Sequence, residues 1–176
     1  MSQNQLSRVV GVEEHITIPD LTRSLPEAAM IDRGYLSRDK PFGKASLIGE
    51  LSDTENRLHK LDAGGVTVQV LSYPVAGADL LHPKPGALWA NQMNNAIAEH
   101  IKAHPDRYAG FAHLPLTSPD AAADELTRAV TELGFKGALV SGAVGGRYLD
   151  HPSVDGETLA KIAHRNADKL LRLSVT

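Results

Sequence analysis

Arg8-Val9-Val10-Gly11-Val12-Glu13-Glu14-His15 begins with a short β-branched run and turns polar at its end. That is the pattern of a buried strand emerging from a sheet, and the segments after it decide the fold. Three more short apolar runs are expected as strands, Val66 to Ser72, Tyr108 to Leu114 and Gly137 to Val140, and each comes after one helix-like segment. Leu47, Leu51, Leu58 and Leu61 recur at helical spacing before the stop at Gly64-Gly65. A second helix is expected near Ala87 to Ala103. A third is expected from Pro119 to about Leu133, with Ser118 at its cap and Pro119 at its first position. A last one runs from Asp155 to Leu173. Strands that alternate with helices and are apolar on both faces belong to a parallel sheet covered by helices.

Between the first strand and the first helix, from Ile16 to Lys44, prolines and glycines at 19, 26, 34, 41 and 43 break any regular pattern, so a long loop is expected there. Ser141-Gly142-Ala143-Val144-Gly145-Gly146 reads as a flexible loop. A phosphate cradle is the weaker reading, because the spacing is not G-x-G-x-x-G and no helix opens directly behind it.

The chain has 176 residues, enough for one ordinary domain of roughly 100 to 200 residues. Its 42% hydrophobic and 22% charged residues allow a packed core and exclude disorder. Eighteen basic against 21 acidic residues leave a formal charge of −3, without the basic excess that a phosphate backbone demands, so nucleic acid is not an expected partner. No apolar run approaches the ~20 residues of a membrane span. The polar start Met1 to Gln5 lacks signal-peptide character, and a cytoplasmic protein without a membrane partner is expected. With no cysteine, any metal must be held by His, Asp or Glu, and there are eight histidines.

Residues two apart on a strand share a face, which sets Glu13 and His15 together at the end of the first strand. An oxygen and a nitrogen donor there suit a divalent cation such as Zn²⁺ or Mn²⁺, although two ligands do not complete a site and a solvated polar strand end carries the same residues. His113, at the end of the third strand, and His151, in Asp150-His151-Pro152, are further candidates for the mouth of such a site, each with a solvated or rim reading beside it. No G-x-S-x-G elbow supports a serine nucleophile.

Val10 to Pro19, Arg57 to Val66, His104 to Leu116, Pro119-Asp120 and Leu133 to Ala138, taken in order, resemble the amidohydrolase-related metal-dependent decarboxylases. That group includes the dihydroxybenzoate decarboxylases and aminocarboxymuconate semialdehyde decarboxylase. The Glu-x-His form of Glu13 and His15 is similar to the hydroxybenzoate branch. The resemblance covers about residues 8 to 152. It implies a TIM-type (β/α) barrel, a small carboxylic acid substrate, and one divalent metal held by the Glu-x-His pair, by a His after the fifth strand and by an Asp after the last.

The family continues through four more strands, yet Gly156 to Leu171 resembles the segment that closes its chains. The expectation is therefore a single domain over 1–176 holding a partial barrel. It comprises about four parallel strands with covering helices (8–152) and a terminal helix (155–176), with an internal deletion or a rearranged reading frame near Val154 to Gly156. On this resemblance the remaining ligands and the proton donor are absent and no catalytic residue is assigned, so the chain is a decarboxylase relative compromised in activity. A homo-oligomer is expected because a half barrel leaves strand edges open. Two alternatives stand beside this reading: a non-catalytic fragment that binds itself or a full-length relative, and an open nucleotide-binding α/β domain using the Gly142 to Gly146 loop.

Overall fold

The computed structural model describes residues 7–32, 51–74, 77–144, 147–148, 156–160 and 165. The chain divides into two compact units, Met1–Val140 and Ser141–Thr176. In the first, β1 (Val10–His15), β2 (Val68–Ser72) and β3 (Tyr108–Gly110) form a parallel sheet in that order. Among the described residues, α1 (Pro19–Ser24), α2 (Glu27–Asp32), α3 (Thr54–Gly64), α4 (Pro83–Ala103) and α5 (Pro119–Thr131) lie between or after these strands. Each return to the sheet through a helix gives a parallel neighbour, as the alternation of segments requires.

The core fills the space between one face of the sheet and the helices. Leu71 and Ala112 from the sheet side meet Trp89, Met93 and Ile97 of α4, Ala122 and Ala129 of α5, and Phe135 after it. Met93 and Ile97 are wholly buried, each contributing roughly 1.5–3 kcal/mol of hydrophobic stabilisation. Gly86 lets α4 lie directly on the turn Ala78–Leu80, since a Cβ there would stand 2.6 Å from the Ala78 carbonyl oxygen.

Several expectations are corrected in detail. The loop from Ile16 to Lys44 holds two short helices in its described part. Pro19 stands in the first turn of α1, and Pro26 directly precedes α2, because proline's fixed φ suits a helix start as well as a break. Residues 33–50 lie outside the described ones, and with them the first part of the helix expected from Leu47. The rest of that helix begins anew at Thr54, where the Asp53 side chain accepts from the Asn56 N–H at 3.0 Å, and it ends at Gly65 with φ 70°.

Helix α4 starts at Pro83 rather than Ala87, again with proline in the first turn. Helix α5 has Ser118 at its cap as expected, but without a side-chain hydrogen bond. The third strand is three residues long. The fourth is reduced to one parallel bridge, Ala112 to Ala138, carried by hydrogen bonds from the Lys136, Ala112 and Leu139 N–H groups to the Gly110, Gly137 and Ala112 carbonyls. Gly137, at φ 149°, takes this segment out of ordinary strand geometry where it would enter the sheet.

In the second unit β4 (Ala143–Val144) pairs antiparallel with β5 (Arg147–Tyr148), and Gly145 and Gly146 of the expected glycine loop lie outside the described residues. Of the terminal helix, α6 (Gly156–Ala160) is described and the remainder lies outside the described residues. No described helix is long and apolar enough to cross a membrane.

Candidate functional site

The carboxyl ends of parallel strands are where a βα architecture places its chemistry, and β1 ends on His15. Val10 pairs with Val68 and Gly11 with Gln69, but the next partners are Glu14 with Leu71 and His15 with Ser72. Three steps on β1 therefore match two on β2, a β-bulge centred on Val12-Glu13. The simple alternation expected for Glu13 and His15 is interrupted there. Glu13 lies exposed on the bulge, and His15 and Glu14 point to opposite faces.

The His15 ring places Nδ1 3.1 Å from the Ser72 hydroxyl on the paired strand. The Ser72 hydroxyl donates to the Glu14 carbonyl at 3.4 Å and is placed to accept from an Nδ1–H, the tautomer that leaves Nε2 as the donor atom for a cation. Glu14 turns to the helix side, where its Oε2 accepts from Gln69 Nε2 at 2.7 Å. The Gln69 Oε1 in turn accepts from Arg57 of α3 at 3.3 Å, and the same guanidinium donates to the His15 and Leu51 carbonyls. Burial lowers the pKa of Arg57 against the opposing pull of Tyr108 and Glu14, yet an arginine remains charged.

His113 lies just after β3 and packs edge-on against Tyr73 and Trp89, at ring-centroid distances of 5.5 and 5.2 Å. Its Nε2 accepts from the Ala78 N–H at 3.1 Å, so that lone pair is committed to the backbone. Burial pulls the ring down to about 4, while the Asp79 carboxylate acts to raise it. This histidine is accordingly neutral near pH 7. Its backbone is held on both sides by Asn94 of α4, whose Oδ1 accepts from the His113 N–H (2.8 Å) and whose Nδ2 donates to the His113 carbonyl (2.9 Å). Asn94 Nδ2 also donates to Glu125 (2.7 Å), which receives two hydrogen bonds from Arg128 and one from Asn91. Burial alone would raise the Glu125 carboxyl, but the bonds from Arg128, Asn94 and Asn91 outweigh it and hold the group below its ordinary value.

The structure thus sets His15 at a strand mouth with Glu13 exposed two residues before it, and seats His113 in an aromatic cage. His151 lies outside the described residues. Among the described residues no group of three or more His, Asp or Glu is arranged to hold a metal. Sequence reasoning missed Ser72, Gln69, Arg57 and Asn94. Gln69 was the available signal, because a glutamine inside the apolar run Val66 to Ser72 has to find partners when it is buried.

Residues 53–168 match the family model described as Amidohydrolase. The gamma-resorcylate decarboxylase of Rhodococcus jostii (strain RHA1) is 36% identical over 149 residues, covering 84% of this chain and 41% of that protein. The solved structure of 2,6-dihydroxybenzoate decarboxylase complexed with 2,6-dihydroxybenzoate superposes with a TM-score of 0.64 at 34% identity, over 78% of this chain and 40% of that one. A dihydroxybenzoic acid decarboxylase from Polaromonas sp. JS666, solved with bound manganese and the inhibitor 2-nitroresorcinol, gives 0.63 at 31% identity, over 78% and 39%. The chain spans about two-fifths of the length of the relatives it matches, in keeping with a partial barrel.

Proposed function

The chain belongs to the amidohydrolase family, and from that membership we propose that it carries the metal-gripping half of a decarboxylase site for small aromatic carboxylic acids. Glu13 and His15 are the two protein ligands this chain offers to one divalent ion, Mn²⁺ or Zn²⁺. The observation that carries the reading is the end of β1, where His15 is bonded at Nδ1 to Ser72 and so presents Nε2. The donor set fits such an ion in kind: a carboxylate to neutralise charge and a neutral imidazole nitrogen. When bound, a divalent ion supplies Lewis-acid stabilisation to substrate oxygens.

This chain's own part is to fix that grip. Ser72 bonds the His15 ring at Nδ1, the bulge exposes Glu13, and Asn94 clamps the backbone of the segment that follows β3. Loss of CO₂ also requires a proton delivered to the carbon that bore it, and none of the described residues is assigned that role, so turnover depends on groups these residues do not supply. Manganese binding that vanishes in Glu13→Ala/His15→Ala tests the reading.

A second reading, association with another copy of the chain, is favoured by one observation: β1 is the outer strand of the described sheet and exposes Val10 (42%) and Val12 (61%).

A further inference from the structure

Behind the ligand pair, on the helix side of the sheet, lies a chain of contacts that neither the metal nor the substrate would touch. Gly11 has no side chain, and a Cβ there would stand 2.5 Å from the Glu14 Oε1, so the Glu14 carboxylate folds back over β1 into the space the glycine leaves. From there the contacts run Glu14 to Gln69 to Arg57, and Arg57 closes on the backbone carbonyl of His15. Among the described residues the hydrogen-bond acceptors of Arg57 are all neutral. A part-buried guanidinium without an ion pair is a costly way to fill space, and an apolar side chain of similar volume would stabilise the fold better. What Arg57 does that an apolar residue would not is fix a carbonyl at the residue whose ring faces the mouth.

We propose that Arg57, Gln69 and Glu14 are positioning residues that lock the β1 bulge and so aim Glu13 and His15 at a divalent cation. This rests on reading those two as the ligands. The bulge lengthens β1 by one residue against β2, and a bulge left unbraced can slip by one residue into regular pairing, which would shift Glu13 and His15 against β2 and the Ser72 hydroxyl that meets the His15 ring. Glu14, whose charge invites a ligand assignment, is a strut in this arrangement.

The test separates positioning from charge. Arg57 is a cation near a cation site, so electrostatics alone predicts that Arg57→Gln binds Mn²⁺ more tightly. The brace predicts weaker binding by about 10- to 100-fold, the usual effect of removing an outer partner of a metal ligand. Mn²⁺ affinity is read on the full chain from the spectroscopic signal of the free ion. Glu14→Gln keeps an oxygen acceptor for Gln69 and should bind like the unaltered chain, whereas Glu14→Ala should weaken binding as Arg57→Gln does. Equal loss in both Glu14 variants would mean the effect is charge and would overturn the strut.

A metal-free readout accompanies this: the Ile16 N–H, bonded to the Ser72 carbonyl, should exchange faster in Arg57→Gln while the Phe111 N–H on Leu71 stays protected. Unchanged Ile16 exchange with equal or tighter Mn²⁺ binding overturns the proposal. If Glu13→Ala/His15→Ala binds Mn²⁺ as the unaltered chain does, the ligand reading fails instead, and the Ile16 exchange still decides the brace.

Discussion

His113 shows what a single residue's surroundings do to its chemistry. As a histidine at a strand end it has the address of a ligand, but its ring sits between Tyr73 and Trp89 and its Nε2 takes the Ala78 N–H. Burial holds its pKa at about 4 against an ordinary 6.5. Between those values the unfolded chain binds a proton that the folded chain refuses, so stability is full above about pH 6.5, falls as pH drops, and levels off below about pH 4. The 2.5-unit difference corresponds to about 3 kcal/mol at the acid end. Urea unfolding from pH 7.5 to 4 should show this decline, and His113→Gln, which does not titrate, should flatten it. A variant with the unaltered chain's slope would place the titrating group elsewhere.

Among elements, one amide of α4 bonds both to the segment after β3 and to α5. Asn94 is fully buried and satisfies both backbone groups of His113 while donating to Glu125. Asn94→Ala leaves those groups without their partner and is expected to cost about 2–4 kcal/mol in urea unfolding, with far-ultraviolet helicity retained. A cost under about 1 kcal/mol would mean that water replaces the amide without penalty.

The element scale is also where the sequence is most and least legible. β2 and α4 announce themselves through an apolar run and a long amphipathic pattern. The short helices α1 and α2 do not, because Pro19 and Pro26 look the same whether they stop a helix or start one. The fourth strand is shorter than the apolar run Gly137 to Val140 suggests: composition cannot report that a glycine at φ 149° leaves room for a single bridge. At the site, a period of two places Glu13 with His15, and the bulge beside them follows from the pairing of Gly11 with Gln69 and of Glu14 with Leu71, which no spacing reveals.

For the molecule as a whole, the length covered is the governing fact. A chain matching about two-fifths of its relatives carries β1 as the outer described strand, with Val10 and Val12 exposed where a full barrel would cover its edge. Sedimentation should show association that rises with concentration, and Val12→Lys, placing a charge on that edge, should reduce it. Equal association in the variant would move the interface off β1.

The central claim is that the end of β1 grips a divalent ion through Glu13 and His15. The direct measurement is manganese bound per chain after equilibration with Mn²⁺ and removal of the free ion, for the unaltered protein beside Glu13→Ala/His15→Ala. The account predicts manganese retained by the unaltered chain and lost in the double variant, with thermal stability little changed because both side chains lie outside the apolar core. Equal manganese in the two proteins, or none in either, would contradict it.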